Sequence, residues 1–128
     1  MIRPMLGTIL LIEDDVALRT TIAEYLTRRK YAVTAAGTIA EATDALGRIT
    51  PNAVVADINL PDGDGAAFCL AQAARFPNAR WILMSGDHER VQLGQRARDI
   101  ASQSAFSVID KPVPLRLLNR ILAQAVPG

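Results

Sequence analysis

Three acidic side chains in a row, Glu13-Asp14-Asp15, stand with Asp57, Ser85 and Lys111 as the residues of this 128-residue sequence whose types can do chemistry together. Crowded carboxylates repel, and each has its pKa raised unless positive charge intervenes. A hard divalent cation relieves that repulsion. Mg2+ takes one or two carboxylates, a carbonyl and several waters in octahedral geometry, and it readily shares a phosphate. Glu13, Asp14 and Asp57 can supply its carboxylates. Asp57 lies in the apolar context Val54-Val55-Ala56-Asp57-Ile58, which positions its carboxylate to attack a phosphoryl donor and become an aspartyl phosphate. Ser85 can donate to one phosphoryl oxygen while Lys111 neutralises another. Lys111 is also one of only two lysines among the 14 basic side chains.

Each of these residues has an ordinary use as well. An acidic run after a strand can simply open a helix, and a strand-end Asp or a Ser-Gly pair can simply make a turn. The chemical reading therefore depends on the elements that bring them together. Residues 8–12 form a continuous apolar stretch rich in β-branched side chains, as expected for a strand buried on both faces. Residues 16–29 follow with helical period, placing Leu18, Ile22, Leu26 and Tyr25 on one stripe and Arg19 outside it. The alternation then repeats: a strand over 31–35, a helix opened by the capping pair Thr38 and Glu41, and a strand over 53–58. A helix over 64–75 stops before Pro77 and leads to a strand over 80–84. A weaker helix over 88–102, interrupted by Gly94, precedes a strand over 106–110 and a last helix over 115–126.

Five strand-helix repeats predict an α/β fold, doubly wound, with a five-stranded parallel sheet. Right-handed crossovers put the carboxyl ends of all strands along one edge. The residues at those ends are Glu13 to Asp15 for the first strand, Asp57 for the third, Ser85 for the fourth and Lys111 for the fifth. Ligands of such sheets bind outside these ends.

Composition narrows the function classes. The formal net charge of +1 is too small for a nucleic-acid binder driven by phosphate neutralisation. Cys69 is the sole cysteine, which excludes an intrachain disulfide and a cysteine-based zinc site. No run approaches the roughly 20 apolar residues of a spanning helix, and no export signal is legible. The expectation is one domain over 1–128, located in the cytoplasm, with no membrane and no direct nucleic-acid binding.

Four blocks of the chain resemble the receiver domain of bacterial two-component response regulators, across essentially its whole length. They are Ile9-Leu10-Leu11-Ile12-Glu13-Asp14-Asp15, then Asp57-Ile58-Asn59-Leu60-Pro61-Asp62-Gly63-Asp64-Gly65, then Ile82-Leu83-Met84-Ser85-Gly86, and Asp110-Lys111-Pro112-Val113. The resemblance implies a flavodoxin-like (βα)5 fold with strand order 2-1-3-4-5. It implies that Asp57 accepts phosphate from a histidine kinase or phosphotransfer protein, and that Glu13, Asp14, Asp57 and the backbone carbonyl of Asn59 hold Mg2+. Ser85 becomes the switch hydroxyl and Lys111 the phosphate-binding lysine, followed by a cis peptide to Pro112. Asn59 and Asp87 fall where such domains tune attack of water on the phosphoryl group. Output passes to a downstream protein through the fourth helix, fifth strand and last helix.

Two positions depart from the family pattern. Val108 stands three residues before the lysine, where the family usually has tyrosine or phenylalanine, and Phe106 lies about 7 Å earlier along the same strand face. The stretch from Ser85 to Lys111 is longer than usual by about one helical turn.

The leading expectation is a phosphorylation-dependent signalling switch that works by protein contacts and is not an enzyme beyond its own phosphorylation and dephosphorylation. A phosphorelay intermediate or phosphate sink would carry the same site. A Mg2+-dependent phosphohydrolase with an aspartyl nucleophile needs a substrate-covering cap, and no insertion is long enough for one. A flavodoxin-like nucleotide binder would place Ser, Thr or Gly donors after the first strand, where Glu13-Asp14-Asp15 would repel a phosphate instead.

Overall fold

Strands that read as apolar on every residue can be accommodated only where both sheet faces are covered. The computed structural model, described over residues 6–86 and 105–125, provides such a sheet. In chain order the elements are β1 (Gly7–Ile12), α1 (Val16–Arg28), β2 (Tyr31–Ala36), α2 (Ile39–Leu46), β3 (Ala53–Asp57), β4 (Asn59–Leu60), β5 (Gly63–Asp64), α3 (Gly65–Ala73), β6 (Arg80–Ser85), β7 (Phe106–Asp110) and α4 (Leu115–Ala125). The main sheet is parallel with order β2-β1-β3-β6-β7. Counting its own strands, that is the expected 2-1-3-4-5.

The two-residue period of the strands sorts the core into two layers. Leu10, Ile12, Val54, Ala56, Trp81 and Leu83 face one way and pack with Ala42, Leu46 and Cys69 from α2 and α3. Ile9, Leu11, Val55, Ile82, Met84 and Ile109 face the other way and pack with Ile22 and Leu26 of α1 and Leu118 and Leu122 of α4. Trp81 and its register partner Phe106 stack with centroids 6.0 Å apart, at the end of the sheet where β6 and β7 begin. Phe106 is thus committed to the core far from the carboxyl edge.

Three of the described helices, α1, α2 and α3, are started by a side-chain oxygen that accepts from free N–H groups of the first turn. Asp15 accepts from Leu18 N–H, Thr38 from Glu41 N–H, and Asp64 from Ala66 and Ala67 N–H. The expected capping box is altered by one residue, because Glu41 Oε1 reaches back to Gly37 N–H at 2.6 Å rather than to Thr38.

Other differences from the sequence reading are small and have local causes. α2 ends at Leu46, so Ile49 packs on the core from beyond the helix. α3 starts one residue after its Asp64 cap and ends at Ala73, short of the expected 75. The short antiparallel pair β4-β5 was not expected; it folds the segment after Asp57 back on itself, with Asn59 opposite Asp64. Lys111 follows β7 rather than ending it. The helix predicted over 88–102, with Asp87, His88, Gly94 and the arginines at 90, 96 and 98, lies outside the described residues, as does Val126.

The β4-β5 turn closes only because residue 65 has no side chain. Gly65 N–H donates to the Ile58 carbonyl at 2.7 Å, and a Cβ at Gly65 would sit 2.0 Å from the Asp57 carbonyl oxygen. That obstacle is backbone and cannot rotate away. Gly65→Ala should therefore destabilise the fold by about 3 kcal/mol, the upper part of the usual overpacking range, read as a fall in the urea midpoint followed by circular dichroism.

Candidate functional site

The carboxyl ends of β1 and β3 are adjacent in the sheet, and both end in acids. Glu13 continues the ladder one residue past β1, its N–H donating to the Ala36 carbonyl at 2.9 Å. Its side chain is fully buried, with Oε2 accepting from Asp15 N–H at 3.1 Å. Asp57 ends β3 among fully buried neighbours and is itself only 4% exposed. Its Oδ1 accepts from Asn59 N–H at 3.1 Å and its Oδ2 accepts from Lys111 Nζ at 3.0 Å. Lys111 reaches the site from beyond β7, where its N–H donates to the Ser85 carbonyl at 2.7 Å and its bond to Pro112 is cis.

The same ammonium lies 3.0 Å from Glu13 Oε1, so one cation is shared by two buried carboxylates. That buried oxygen is held by this ion pair alone and accepts no further hydrogen bond. Asp14 is exposed, and ligand oxygens of Glu13, Asp14 and Asp57 lie within 4.8 Å of one another. Three carboxylates against one ammonium leave a formal charge of −2 when all are ionised. An oxygen-rich, negatively charged cluster with more carboxylates than cations is the donor set a hard divalent cation takes.

Burial pushes the Glu13 carboxyl up to about 7; repulsion from Asp57 adds to this, while the Asp15 N–H and Lys111 work against it. Partial burial works against the Lys111 charge, but its attraction to Asp57 and Glu13 prevails and holds its pKa above the ordinary value.

The structure thus brings together Glu13, Asp14, Asp57 and Lys111, with Asn59 attached through its N–H. Ser85 is fully buried at the end of β6, next to the strand that carries Asp57, and its hydroxyl donates to the Gly86 carbonyl at 3.0 Å. Val108 is half-buried in the same core layer as Phe106. Sequence reasoning missed two residues here. Arg19, assigned to solvent by helical period, donates from Nη1 to the Glu13 carbonyl at 2.8 Å. Asp62, read only as part of a motif, accepts from Ile39 and Ala40 N–H at 2.8 and 3.0 Å and so fastens the β4-β5 turn to the start of α2. Those two bonds hold the Asp62 carboxyl below its ordinary pKa, the one to Ile39 foremost. No periodicity signals either contact; both need the tertiary fold.

The sequence pattern of the response regulator receiver domain matches residues 9–123. The chain belongs to this family. The receiver is 35% identical over 109 residues to the regulatory protein VirG of Agrobacterium tumefaciens strain 15955, a match covering 84% of this chain and 39% of VirG. It is 27% identical over 124 residues to the response regulator protein FleR of Pseudomonas aeruginosa, covering 97% of this chain and 25% of FleR. The chain thus spans well under half the length of these relatives. Among solved structures, the receiver fold is shared with a response regulator receiver protein from Sinorhizobium medicae WSM419, at TM-score 0.79 and 23% identity over 96% of this chain and 94% of that one. It is shared also with the signal receiver domain of an HD domain-containing protein from Pseudomonas fluorescens Pf-5, at TM-score 0.81 and 21% identity over 98% and 90%. Among the described residues, no helix is long and apolar enough to cross a membrane.

The raised pKa of Glu13 has a testable sign. A carboxyl that holds its proton more tightly folded than unfolded favours the fold fully below its ordinary value of 4.5, and that contribution is lost as pH rises through about 7. Urea titrations of the metal-free receiver across that window should show wild type losing stability relative to Glu13→Gln, in which the group cannot titrate.

Proposed function

We propose that this receiver is a phosphorylation-dependent signalling switch of a two-component system, with Asp57 as phosphoacceptor. The observation that carries the reading is the placement of Asp57: buried at the end of a central strand, in contact with Lys111 Nζ at 3.0 Å, beside two further carboxylates. An oxygen of Asp57 forms the new bond to phosphorus as the N–P bond of a phosphohistidine in a histidine kinase or phosphotransfer protein breaks, leaving the electron pair on the imidazole nitrogen. Lys111 is already within reach of an Asp57 oxygen and neutralises charge on the transferred group. Ser85 supplies the switch hydroxyl, giving up its bond to the Gly86 carbonyl to donate to the phosphoryl group. Glu13, Asp14, Asp57 and the carbonyl of Asn59 would hold Mg2+, which supplies the positive charge that makes transfer to a carboxylate-rich pocket favourable.

We read residues 1–128 as one receiver domain working in the cytoplasm, passing its signal through protein contacts on the 88–102 segment, β7 and α4. Phe106 is held against Trp81 and Val108 has no ring, so the signal leaves by the turn after Ser85 rather than by an aromatic rotamer on β7. A second reading, a phosphorelay intermediate, is favoured by one observation: the chain is 28% identical over 114 residues to a stretch of the sensor kinase CckA of Brucella abortus, covering 88% of this chain and 12% of that protein.

Intact mass after incubation with Mg2+ and a small phosphodonor tests the assignment. Wild type should take up one phosphoryl group and Asp57→Asn none; equal uptake by the variant would remove Asp57 from the role. Repeated turnover of a phosphate ester, rather than one stoichiometric event, would point to a phosphohydrolase. Mg2+ should raise the melting temperature of wild type in a concentration-dependent way, and Asp14→Ala should lose most of that response.

A further inference from the structure

The three carboxylates of the pocket are not held alike. Asp57 is fixed through both side-chain oxygens, by Asn59 N–H and Lys111. Glu13 is fixed through Oε2 by Asp15 N–H and through Oε1 by its ion pair with Lys111. The exposed Asp14 has no such bond to its side chain among the described residues, so its place depends on the backbone that carries it.

That backbone is gripped from one side by Arg19. Its Nη1 donates to the Glu13 carbonyl at 2.8 Å, and the Glu13 carbonyl belongs to the peptide group that links Glu13 to Asp14. A peptide unit is planar, so fixing its oxygen fixes its plane. The guanidinium in turn has a defined seat. It passes over Gly37, where a Cβ would come within 2.8 Å of Nη1, and Glu41 holds the Gly37 N–H at 2.6 Å. Arg19 therefore joins α1, the end of β1 and the turn between β2 and α2 around a single carbonyl. We propose that Arg19 is a positioning residue for divalent-cation binding, setting the Glu13–Asp14 peptide so that Asp14 enters the pocket, with Gly37 kept free of a side chain to admit the guanidinium. This inference rests on the reading of the pocket as a Mg2+ site.

Titration calorimetry of Mg2+ into the folded chain separates the possibilities. Arg19→Met keeps the apolar stem and removes the donor, and should weaken Mg2+ binding about tenfold, as loss of a group that orients a metal ligand commonly does. Arg19→Lys restores a charged donor and should recover most of the affinity. Gly37→Ala leaves the arginine in the chain but displaces the end of its flexible side chain, and should weaken binding in the same direction by less. A purely structural role would lower the metal-free melting temperature of Arg19→Met while the folded protein bound Mg2+ as tightly as wild type, and that result would overturn the proposal. Should Arg19→Met fail to fold, Gly37→Ala decides, and wild-type affinity in it overturns the proposal equally. Absence of Mg2+ binding by wild type would defeat the cation site itself, and shows without any substitution.

Discussion

One ammonium shared by two buried carboxylates is the interaction on which the carboxyl edge of this receiver depends. Lys111 Nζ stands 3.0 Å from both Glu13 and Asp57, and these three residues follow or end three different strands. The sheet order sets the reach required. β6 lies between the strand that carries Asp57 and the one that precedes Lys111, so roughly 10 Å of sheet separates those two strands. The lysine and carboxylate side chains close that distance together, from a lysine backbone held at the edge by the bond from its N–H to the Ser85 carbonyl.

Burying like charges is costly, and a buried charge deprived of its partner is costlier still. The apolar layers on both faces of the sheet hold the strand ends in place despite that cost, since β1 and β3 are buried along almost their whole length. The result is a pocket whose repulsion is only partly relieved within the chain: one ammonium for three carboxylates, and one buried oxygen without a hydrogen bond. Burial, with repulsion from Asp57 as a lesser cause, holds the Glu13 carboxyl above its ordinary pKa in this pocket. A pocket left in that condition is poised to take positive charge from outside, which links the energetics of the fold to its chemistry.

The acids of the chain divide by what accepts their charge. Asp15, Asp62 and Asp64 are turned to backbone N–H groups at helix starts, where carboxylates satisfy free donors. Glu13 and Asp57 each accept one backbone N–H as well, but share the Lys111 ammonium. Asp15 and Asp14 are neighbours in sequence, yet one caps α1 and the other joins the cluster. Residue type alone does not separate these roles; the direction of the chain at the strand end does.

Unbroken apolar strands, helical stripes and the breaker Pro77 dictated the strand-helix alternation, because the two-residue and 3.6-residue periods are local properties of the chain. Strand ends then made Glu13, Asp14, Asp57, Ser85 and Lys111 legible as a group, since parallel topology carries all those ends to one edge. The tertiary structure decided what periodicity cannot express. Arg19 reads as a solvent residue on the helical stripe, but its long side chain crosses to the Glu13 carbonyl, a contact between elements that no spacing encodes. Gly65 reads as the end of a motif, and only the approach of the Asp57 carbonyl shows why no side chain fits there. Phe106 reads as displaced along the strand from the place of the missing aromatic, and only the structure shows what holds it there, its stacking on Trp81, because packing of a large ring is settled by its neighbours in space. Local pattern determined which elements form and which residues end them; the distances across the sheet determined which of those residues meet.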